Sequence, residues 1–367
     1  MDKLATRLTT KLPLILAGPI LRRVTDSSVT VWVALQKAAN VTLQIKSATG
    51  ANVGNPATAP TIAVGRFLHS LPSFALPPPN LNELRIIHGS CRMPHANGPD
   101  ALSILDSLIA PTAQNAAERP HQLLLTGDQI YADDVAAVLL MQLMDASNTL
   151  LGTDTAPGGW QAEELRPGNL KPSSYPALSR SIILADAGFT SVDRRSHLMS
   201  LGEYLCMYLF TWSDVLWPAV AALPTAAEVT AAAQAAFSGW LPSGAIKRLK
   251  ALADFKKDSS DVPGDLADVK VHLQTLPKVR RALANIPTYM IFGPPLRSRA
   301  PTPPPGLAGR CSPRPTSPPR PASPPAGPRP SWSSRPARPR PRSRASRWKR
   351  CACCATRRPT SPGRSST

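Results

Sequence analysis

Three side chains that can bind a hard metal ion follow two short apolar runs of the sequence. Cys91 comes just after residues 84–88, while Asp128 and Tyr131 come just after residues 121–126. Reactive groups of open α/β sheets gather beyond the carboxyl ends of the strands. A thiolate, a carboxylate and a phenolate that converge at such an edge would bind a highly charged cation such as ferric iron.

The segments around these side chains predict the strands and helix that would position them. Residues 84–88 and 121–126 are short apolar runs that each end at a glycine, and residues 99–109 place leucine and isoleucine at helical spacing. Strand, helix and strand at this spacing form a βαβ signature. Residues 286–292 predict a third strand of the buried kind. The sequence therefore predicts an α/β catalytic region over residues 81–292.

Further along this region the sequence predicts two more helices. Residues 197–217 form a long apolar and aromatic stretch. Thr225 and Glu228 have the spacing of a capping box, in which each residue caps the other at a helix start. They would open an alanine-rich helix that closes near Gly239.

The amino-terminal part predicts a different, all-β arrangement over residues 13–80. Residues 29–34 are β-branched and aromatic, and residues 41–46 alternate apolar with polar side chains. Asp26 to Ser28 suit a turn. Short strands with turn signals indicate a small β-sandwich domain, and the three prolines at 77–79 would form a stiff hinge.

The carboxyl-terminal part carries nearly all of the net charge. The whole chain has 42 basic and 23 acidic residues, but residues 293–367 hold 16 arginines, one lysine and no acidic residue, which leaves the rest near neutral. This proline-rich segment also lacks apolar periodicity, so it cannot offset the entropy of ordering. We predict a disordered tail over 293–367.

At the candidate ligands the sequence resembles a known family. The segment 88–95 reads His-Gly-Ser-Cys-Arg-Met-Pro-His, and 123–134 reads Leu-Leu-Leu-Thr-Gly-Asp-Gln-Ile-Tyr-Ala-Asp-Asp. Both resemble the PhoD-like alkaline phosphatases, a branch of the calcineurin-like metallophosphoesterases. Residues 18–33 resemble the β-sandwich domain that precedes their catalytic domain, and 201–217 and 280–292 extend the likeness.

The resemblance implies a fold, a ligand set and a reaction. The fold would be an amino-terminal β-sandwich followed by a partial αββα sandwich. Asp128 would be the catalytic carboxylate that bridges two metal ions, with Cys91 and Tyr131 as iron ligands. The cofactors would be iron with calcium or another divalent cation. The substrate would be a phosphate ester, monoester or diester, which a metal-bound hydroxide attacks.

The sequence departs from the family after Phe292. There the family continues into an Asp-Asp-His segment that supplies further metal ligands, whereas this chain continues into the tail and has no histidine after His272. We interpret residues 293–367 as an out-of-frame product of a GC-rich coding sequence. Sequencing the transcript across codon 292 tests this interpretation, because a shifted frame should restore Asp-Asp-His.

Other polar residues near the motifs have both a structural and a functional interpretation. His88 within the first strand favours a satisfied core imidazole, and His95 favours a solvated loop position. Arg92 could meet a substrate phosphate or form a structural ion pair. Asp133 and Asp134 could orient ligands, contact a second ion, or simply be helix-start carboxylates.

The sequence also allows two alternatives to phosphoester hydrolysis. A truncated family member that lacks the second half of its metal site would be catalytically inactive. The basic tail could bind nucleic acid non-specifically, although any polycation does so, and we predict no specific nucleic-acid partner. The oligomeric state is left open.

The sequence also bears on the compartment. No apolar window is long enough for a transmembrane helix. Cys91 and Cys206, the only cysteines before residue 293, give no disulfide framework, and Cys206 is predicted to be a core residue. These features favour the cytoplasm. Secretion is the alternative, because lysine and arginine precede the apolar residues 12–21 as in a signal peptide.

Overall fold

The computed structural model describes residues 3–57, 71–151, 175–186, 189, 191, 195–237 and 245–291. These residues form a mixed α/β structure with small sheets, as predicted, while the predicted tail 293–367 lies outside them. The helices are α1 Leu4–Thr10, α2 Ile104–Thr112, α3 Ala137–Leu151, α4 Ser181–Asp186, α5 Leu201–Trp212, α6 Ala226–Phe237 and α7 Ala245–Asn285. The strands are β1 Ile15–Val24, β2 Val29–Leu35, β3 Leu43–Lys46, β4 Asn52–Ala57, β5 Ile86–Gly89, β6 Gln122–Leu125 and β7 Thr288–Met290.

A three-stranded parallel sheet of order β5-β6-β7 occupies the predicted α/β region. β5 and β6 are joined through α2, so the predicted βαβ unit is confirmed. Gly89 pairs with Leu125, and Leu125 pairs with Met290. The three strands therefore end at the same edge of the sheet, where the chain turns into the candidate site.

The amino-terminal strands form two antiparallel pairs, β1 with β2 and β3 with β4. The turn between β1 and β2 is the predicted one, and the Thr25 hydroxyl contacts the Ser28 hydroxyl at 2.8 Å within it. β1 is largely buried and packs against α7 and α5. Its Leu16 and Ile20 belong to the same hydrophobic cluster as Leu123 of β6.

Two predicted helices begin with capping boxes that the structure shows directly. At α6, the Glu228 amide donates to the Thr225 hydroxyl at 3.2 Å, and the Thr225 amide donates to the Glu228 carboxylate at 2.7 Å. At α5, Ser200 and Glu203 form the same reciprocal arrangement. The predicted closing residue of α6, Gly239, lies outside the described residues. None of the helices in the described ranges is long and apolar enough to cross a bilayer.

One face of the parallel sheet is buried and the other is open in the described part of the chain. Leu123 and Leu125 of β6 are fully buried, because they face the core. On the opposite face Ile86 is 45% exposed, and Ile291, just beyond β7, is 53% exposed. Parallel sheets are normally covered on both faces. In the described part of the chain, this sheet therefore lacks the layer that usually covers the second face.

Arg119 joins three segments at the amino end of the sheet. It is fully buried, and its guanidinium donates to the carbonyl oxygens of Ser73, Ala113 and Asn285. Burial lowers the pKa of Arg119 to about 10. The residue therefore ties the segment before β5, the end of α2 and the end of α7 to one another.

We expect Arg119→Met to lower the free energy of unfolding by about 2 kcal/mol, because buried carbonyl groups lose their donors. Urea denaturation at neutral pH measures this change. Arg85→Met is the matched control, since Arg85 is exposed and its guanidinium donates to a single carbonyl, that of Glu118. Equal effects of the two substitutions would contradict the role assigned to Arg119.

Candidate functional site

The turns that follow β5 and β6 lie against each other at the carboxyl edge of the sheet. The Cys91 amide donates to the Gly127 carbonyl at 3.3 Å, and the Arg92 amide donates to the Asp128 carbonyl at 2.9 Å. A Cβ atom at Gly127 would lie 3.4 Å from the Cβ of Ser90. The two turns are therefore in van der Waals contact at Gly127 and Ser90.

The side chains of Cys91 and Asp128 meet between these turns. The Sγ of Cys91 lies 3.8 Å from Oδ2 of Asp128, and Cys91 is exposed. Both residues have positive φ, 62° for Cys91 and 30° for Asp128. Residues other than glycine rarely adopt this conformation, and such strain concentrates at functional sites. The structure thus places two of the three predicted site residues side by side.

Tyr131, the third predicted ligand, lies in the same segment as Asp128. It is half-buried, between the buried residues Ile130 and Ala132. Within the described ranges no group of three or more histidine, cysteine, aspartate or glutamate side chains could hold a metal ion. Cys91 and Asp128 are therefore two neighbouring donors, and no third histidine, cysteine or acidic side chain joins them in the described residues.

The chain leaves β7 at this same edge. The Ile291 amide donates to the Leu125 carbonyl at 3.1 Å, which extends the parallel pairing one residue past Met290. The next residues along the chain are those where the family would supply its Asp-Asp-His ligands. Residues from 292 onward lie outside the described residues, so this part of the comparison stays a prediction.

His88 is not the core imidazole that the sequence predicted. It is exposed, on the open face of the sheet, and its Nε2 lies 2.5 Å from the hydroxyl of Thr126. The prediction was wrong because it assumed a strand buried on both faces. His88 instead links the ends of β5 and β6 on the solvent side.

Arg92 has the structural role rather than the substrate-binding one. Its guanidinium is buried and donates to the Asp100 carboxylate through Nε at 3.1 Å and to the Thr211 carbonyl at 3.1 Å. Burial raises the pKa of Asp100, but the Arg92 charge and hydrogen bond outweigh it, so that the net shift is downward. Arg92 therefore anchors the Cys91 turn to α5 and is turned away from solvent.

His95 and Asp134 form a hydrogen bond between the loop after β5 and the segment after β6. Nε2 of His95 lies 3.1 Å from Oδ1 of Asp134, and His95 is only 9% exposed. The prediction of a solvated loop histidine was wrong, because a carboxylate 39 residues along the chain covers the ring. Burial raises the pKa of Asp134, but the hydrogen bond and charge of His95, together with the charge of Arg195, lower this pKa by a larger amount. The net shift is therefore downward.

Charged residues that the sequence analysis missed extend this arrangement onto α7. Arg195 binds Asp261 at 3.1 Å and Asp265 at 2.9 Å, and its charge acts on Asp134. His272 of α7 lies 3.9 Å from Asp100 through Nδ1. The only local signal was the spacing of Asp261 and Asp265 on one helical face, and nothing in the sequence indicated their partner.

His272 should make stability sensitive to mild acid. Burial, aided by the charge of Arg92, lowers its pKa to about 4, whereas an unfolded histidine titrates near 6.5. Between these values the unfolded chain binds more protons than the folded one. We therefore expect the free energy of unfolding to fall by roughly 3 kcal/mol as the pH drops from 6.5 to 4.

The measurement is denaturant unfolding of the full chain across this pH range. His272→Gln should flatten the slope, while His88→Gln, a substitution of the exposed histidine, should leave it unchanged. A slope that is the same in wild type and His272→Gln would contradict the assignment.

Cys206 is a core residue, as predicted. It is fully buried in α5, and burial raises the pKa of its thiol to about 12. Its side chain packs in the hydrophobic core with Met207 and Phe210. Cys91 and Cys206 are both free thiols.

Comparisons with known proteins give no match for this chain. No family model matches it, no curated protein matches its sequence, and no solved structure matches its fold. The family resemblance of the motifs around Cys91 and Asp128 therefore stays a prediction.

Proposed function

We propose that the chain is a metal-dependent phosphoesterase of the alkaline phosphatase or phosphodiesterase type. The observation that carries this proposal is the meeting of Cys91 and Asp128 at the tips of adjacent parallel strands, each with positive φ. Strain at two neighbouring non-glycine residues is costly, about 1–3 kcal/mol each. Its presence at the position where α/β sheets place their reactive groups supports a functional rather than a structural role.

In this proposal Cys91, Asp128 and Tyr131 would hold iron, and Asp128 would also contribute to holding calcium or another divalent cation. The bound metals would supply Lewis acidity and a nucleophile at neutral pH. The protein's own contribution is to hold a thiol and a carboxylate 3.8 Å apart on turns that are hydrogen-bonded to each other. Arg92 anchors the first of these turns through Asp100.

The finer architecture is part of the same proposal. The two antiparallel pairs β1-β2 and β3-β4 would belong to an amino-terminal β-sandwich. The parallel sheet would be one layer of an αββα sandwich, and its open face would be the surface that a second sheet covers in a complete domain.

A catalytically inactive, truncated protein is the second candidate. Two observations favour it: the open face of the parallel sheet, with Ile86 and Ile291 exposed, and the lack of a three-ligand cluster in the described residues. A partial site would bind metal weakly or not at all. The two candidates therefore differ in a measurable property.

The deciding experiment loads the full-length chain with iron and calcium, removes unbound metal and measures retained metal by mass spectrometry. Hydrolysis of bis(4-nitrophenyl) phosphate and 4-nitrophenyl phosphate is then followed. Retained iron, with turnover of either ester, supports the phosphoesterase. A folded chain that retains no metal and hydrolyses neither ester would sink the proposal in favour of the inactive protein.

A further inference from the structure

The two turns of the candidate site extend from paired strands and contact each other directly. They share backbone hydrogen bonds of 3.3 and 2.9 Å and the 3.8 Å approach of Cys91 to Asp128. Both residues are held in a strained conformation, which persists only where the surroundings over-determine it. Some contact beyond the turns must therefore hold one loop against the other.

The contact between His95 and Asp134 lies where it can hold the two turns together. His95 lies four residues after Cys91, and Asp134 lies six residues after Asp128, so the pair closes a ring that includes both turns. The contact is 3.1 Å long, and the side chain of His95 is almost fully shielded from solvent. A hydrogen bond in such a shielded place is stronger than one in water, because the local dielectric constant is lower.

The pair is itself fixed from two sides. Arg92, between Cys91 and His95, is anchored to Asp100 and to the Thr211 carbonyl. Asp134 lies in the field of Arg195, which is bound to Asp265 of α7. The two turns and the contact between His95 and Asp134 are thus linked to α5 through Arg92 and to α7 through Arg195.

His95 does not have the exposure that direct contact with substrate requires. Its Nδ1 is buried and has no hydrogen-bond partner in the described residues, while Nε2 is taken by Asp134. The imidazole of His95 therefore acts through its contact with Asp134 and does not contact a ligand.

We propose that His95 and Asp134 are positioning residues, whose hydrogen bond sets the distance between Cys91 and Asp128 and thereby controls whether both can bind one ion. This inference rests on the proposed function for its metal-binding consequence. The positioning of Cys91 is measurable without any metal.

The first measurement is alkylation of Cys91 by iodoacetamide in the metal-free full chain, resolved by peptide mass spectrometry. His95→Ala and Asp134→Ala should raise its rate about threefold or more, because thiol reactivity follows exposure and surroundings. His95→Gln keeps a donor near the position of Nε2 and should restore a rate close to wild type. Buried Cys206 reports unfolding in the same samples.

The matched control is His88→Ala. It removes the other histidine that links the ends of β5 and β6, but on the solvent face, and should leave Cys91 alkylation unchanged. An unchanged Cys91 rate in His95→Ala, or a rise only where Cys206 also reacts, would overturn the positioning role. So would an equal effect of His88→Ala.

The second measurement is iron affinity of the same variants. Partners of metal ligands typically contribute 10- to 100-fold in affinity, and we expect a loss of about that size in His95→Ala, with rescue in His95→Gln. If wild type binds no metal while Cys91 alkylation still depends on His95, the proposed function fails and the positioning role stands. If wild type binds metal and His95→Ala binds it equally well, the positioning role fails and the proposed function stands.

Discussion

On the proposed function, Asp128→Asn should reduce iron affinity and phosphodiester turnover by more than about a hundredfold, since even indirect partners of a metal ligand contribute up to that much. Asparagine keeps the size of the side chain and one acceptor oxygen but removes the charge that draws the cation. The Asp128 carbonyl, which accepts the Arg92 amide, is unaffected. Retained metal and the rate of bis(4-nitrophenyl) phosphate hydrolysis measure the effect.

A carboxylate from the same segment provides the control. Asp133 accepts a hydrogen bond from the Ser191 hydroxyl at 3.2 Å, so its carboxylate is already engaged. We expect Asp133→Asn to change turnover far less than Asp128→Asn does. Equal losses in the two variants would indicate a general effect of charge in this segment and would contradict the role of Asp128 as a ligand.

Stability offers an independent check on the same residue. The backbone of Asp128 has φ of 30°, a region that glycine tolerates at little cost. Asp128→Gly should therefore unfold with a free energy equal to wild type or about 1 kcal/mol higher, while metal binding is lost. A large loss of stability would show that the aspartate is there for the fold. A higher free energy of unfolding would show that the aspartate strains the folded backbone and has its role in the site.

The contact between Cys91 and Asp128 could be predicted because it depends on local rules. Two apolar runs joined by a helix form adjacent parallel strands, and such strands end at one edge of the sheet. The α6 capping box of Thr225 and Glu228 was predictable for the same reason, since both residues lie within one turn of the helix.

The contact of Arg92 with Thr211 and that of His95 with Asp134 could not be predicted, because these partners come from distant parts of the chain. The Thr211 carbonyl is 119 residues from Arg92, and Asp134 is 39 residues from His95. A sequence shows that a loop carries a histidine, but not which carboxylate will cover it. These long-range contacts select the structural role among the two open for Arg92 and correct the interpretation of His95.

The misassignment of His88 has a different origin. The alternation in β5 indicates which residues share a face, and the structure agrees with that pattern, with Ile87 packed toward the core and His88 on the other face. The prediction failed because it took both faces to be covered, which is the rule for parallel sheets. The exposure of His88 and Ile86 thus follows from the uncovered face and not from the strand itself.

The largest stability effect should come from Glu203, whose ion pair with Arg180 is completely shielded from water. The two side chains are 0% and 1% exposed, and they meet through two hydrogen bonds of 2.8 and 2.7 Å. Arg180 also donates to the carbonyls of Tyr175 and His197, while Glu203 caps α5. The pair therefore joins the segment before α4 to the start of α5.

We expect Glu203→Gln to lower the free energy of unfolding by about 3–5 kcal/mol, because it leaves the Arg180 charge buried without a counter-charge. Urea denaturation at neutral pH measures the loss. Removal of the exposed pair Lys250–Asp254 by Lys250→Ala is the control and should cost less than about 1 kcal/mol. A loss no larger than that of the control would contradict the assignment.

The double variant Arg180→Met/Glu203→Leu separates the two possible causes of that loss. Replacing both members of a buried ion pair with apolar residues of similar volume is often close to neutral. If the unpaired charge causes the instability, the double variant should be more stable than Glu203→Gln. If it is less stable, then the hydrogen bonds to the Tyr175 and His197 carbonyls and to the start of α5 dominate, and the ion pair holds the backbone in place rather than merely balancing charge.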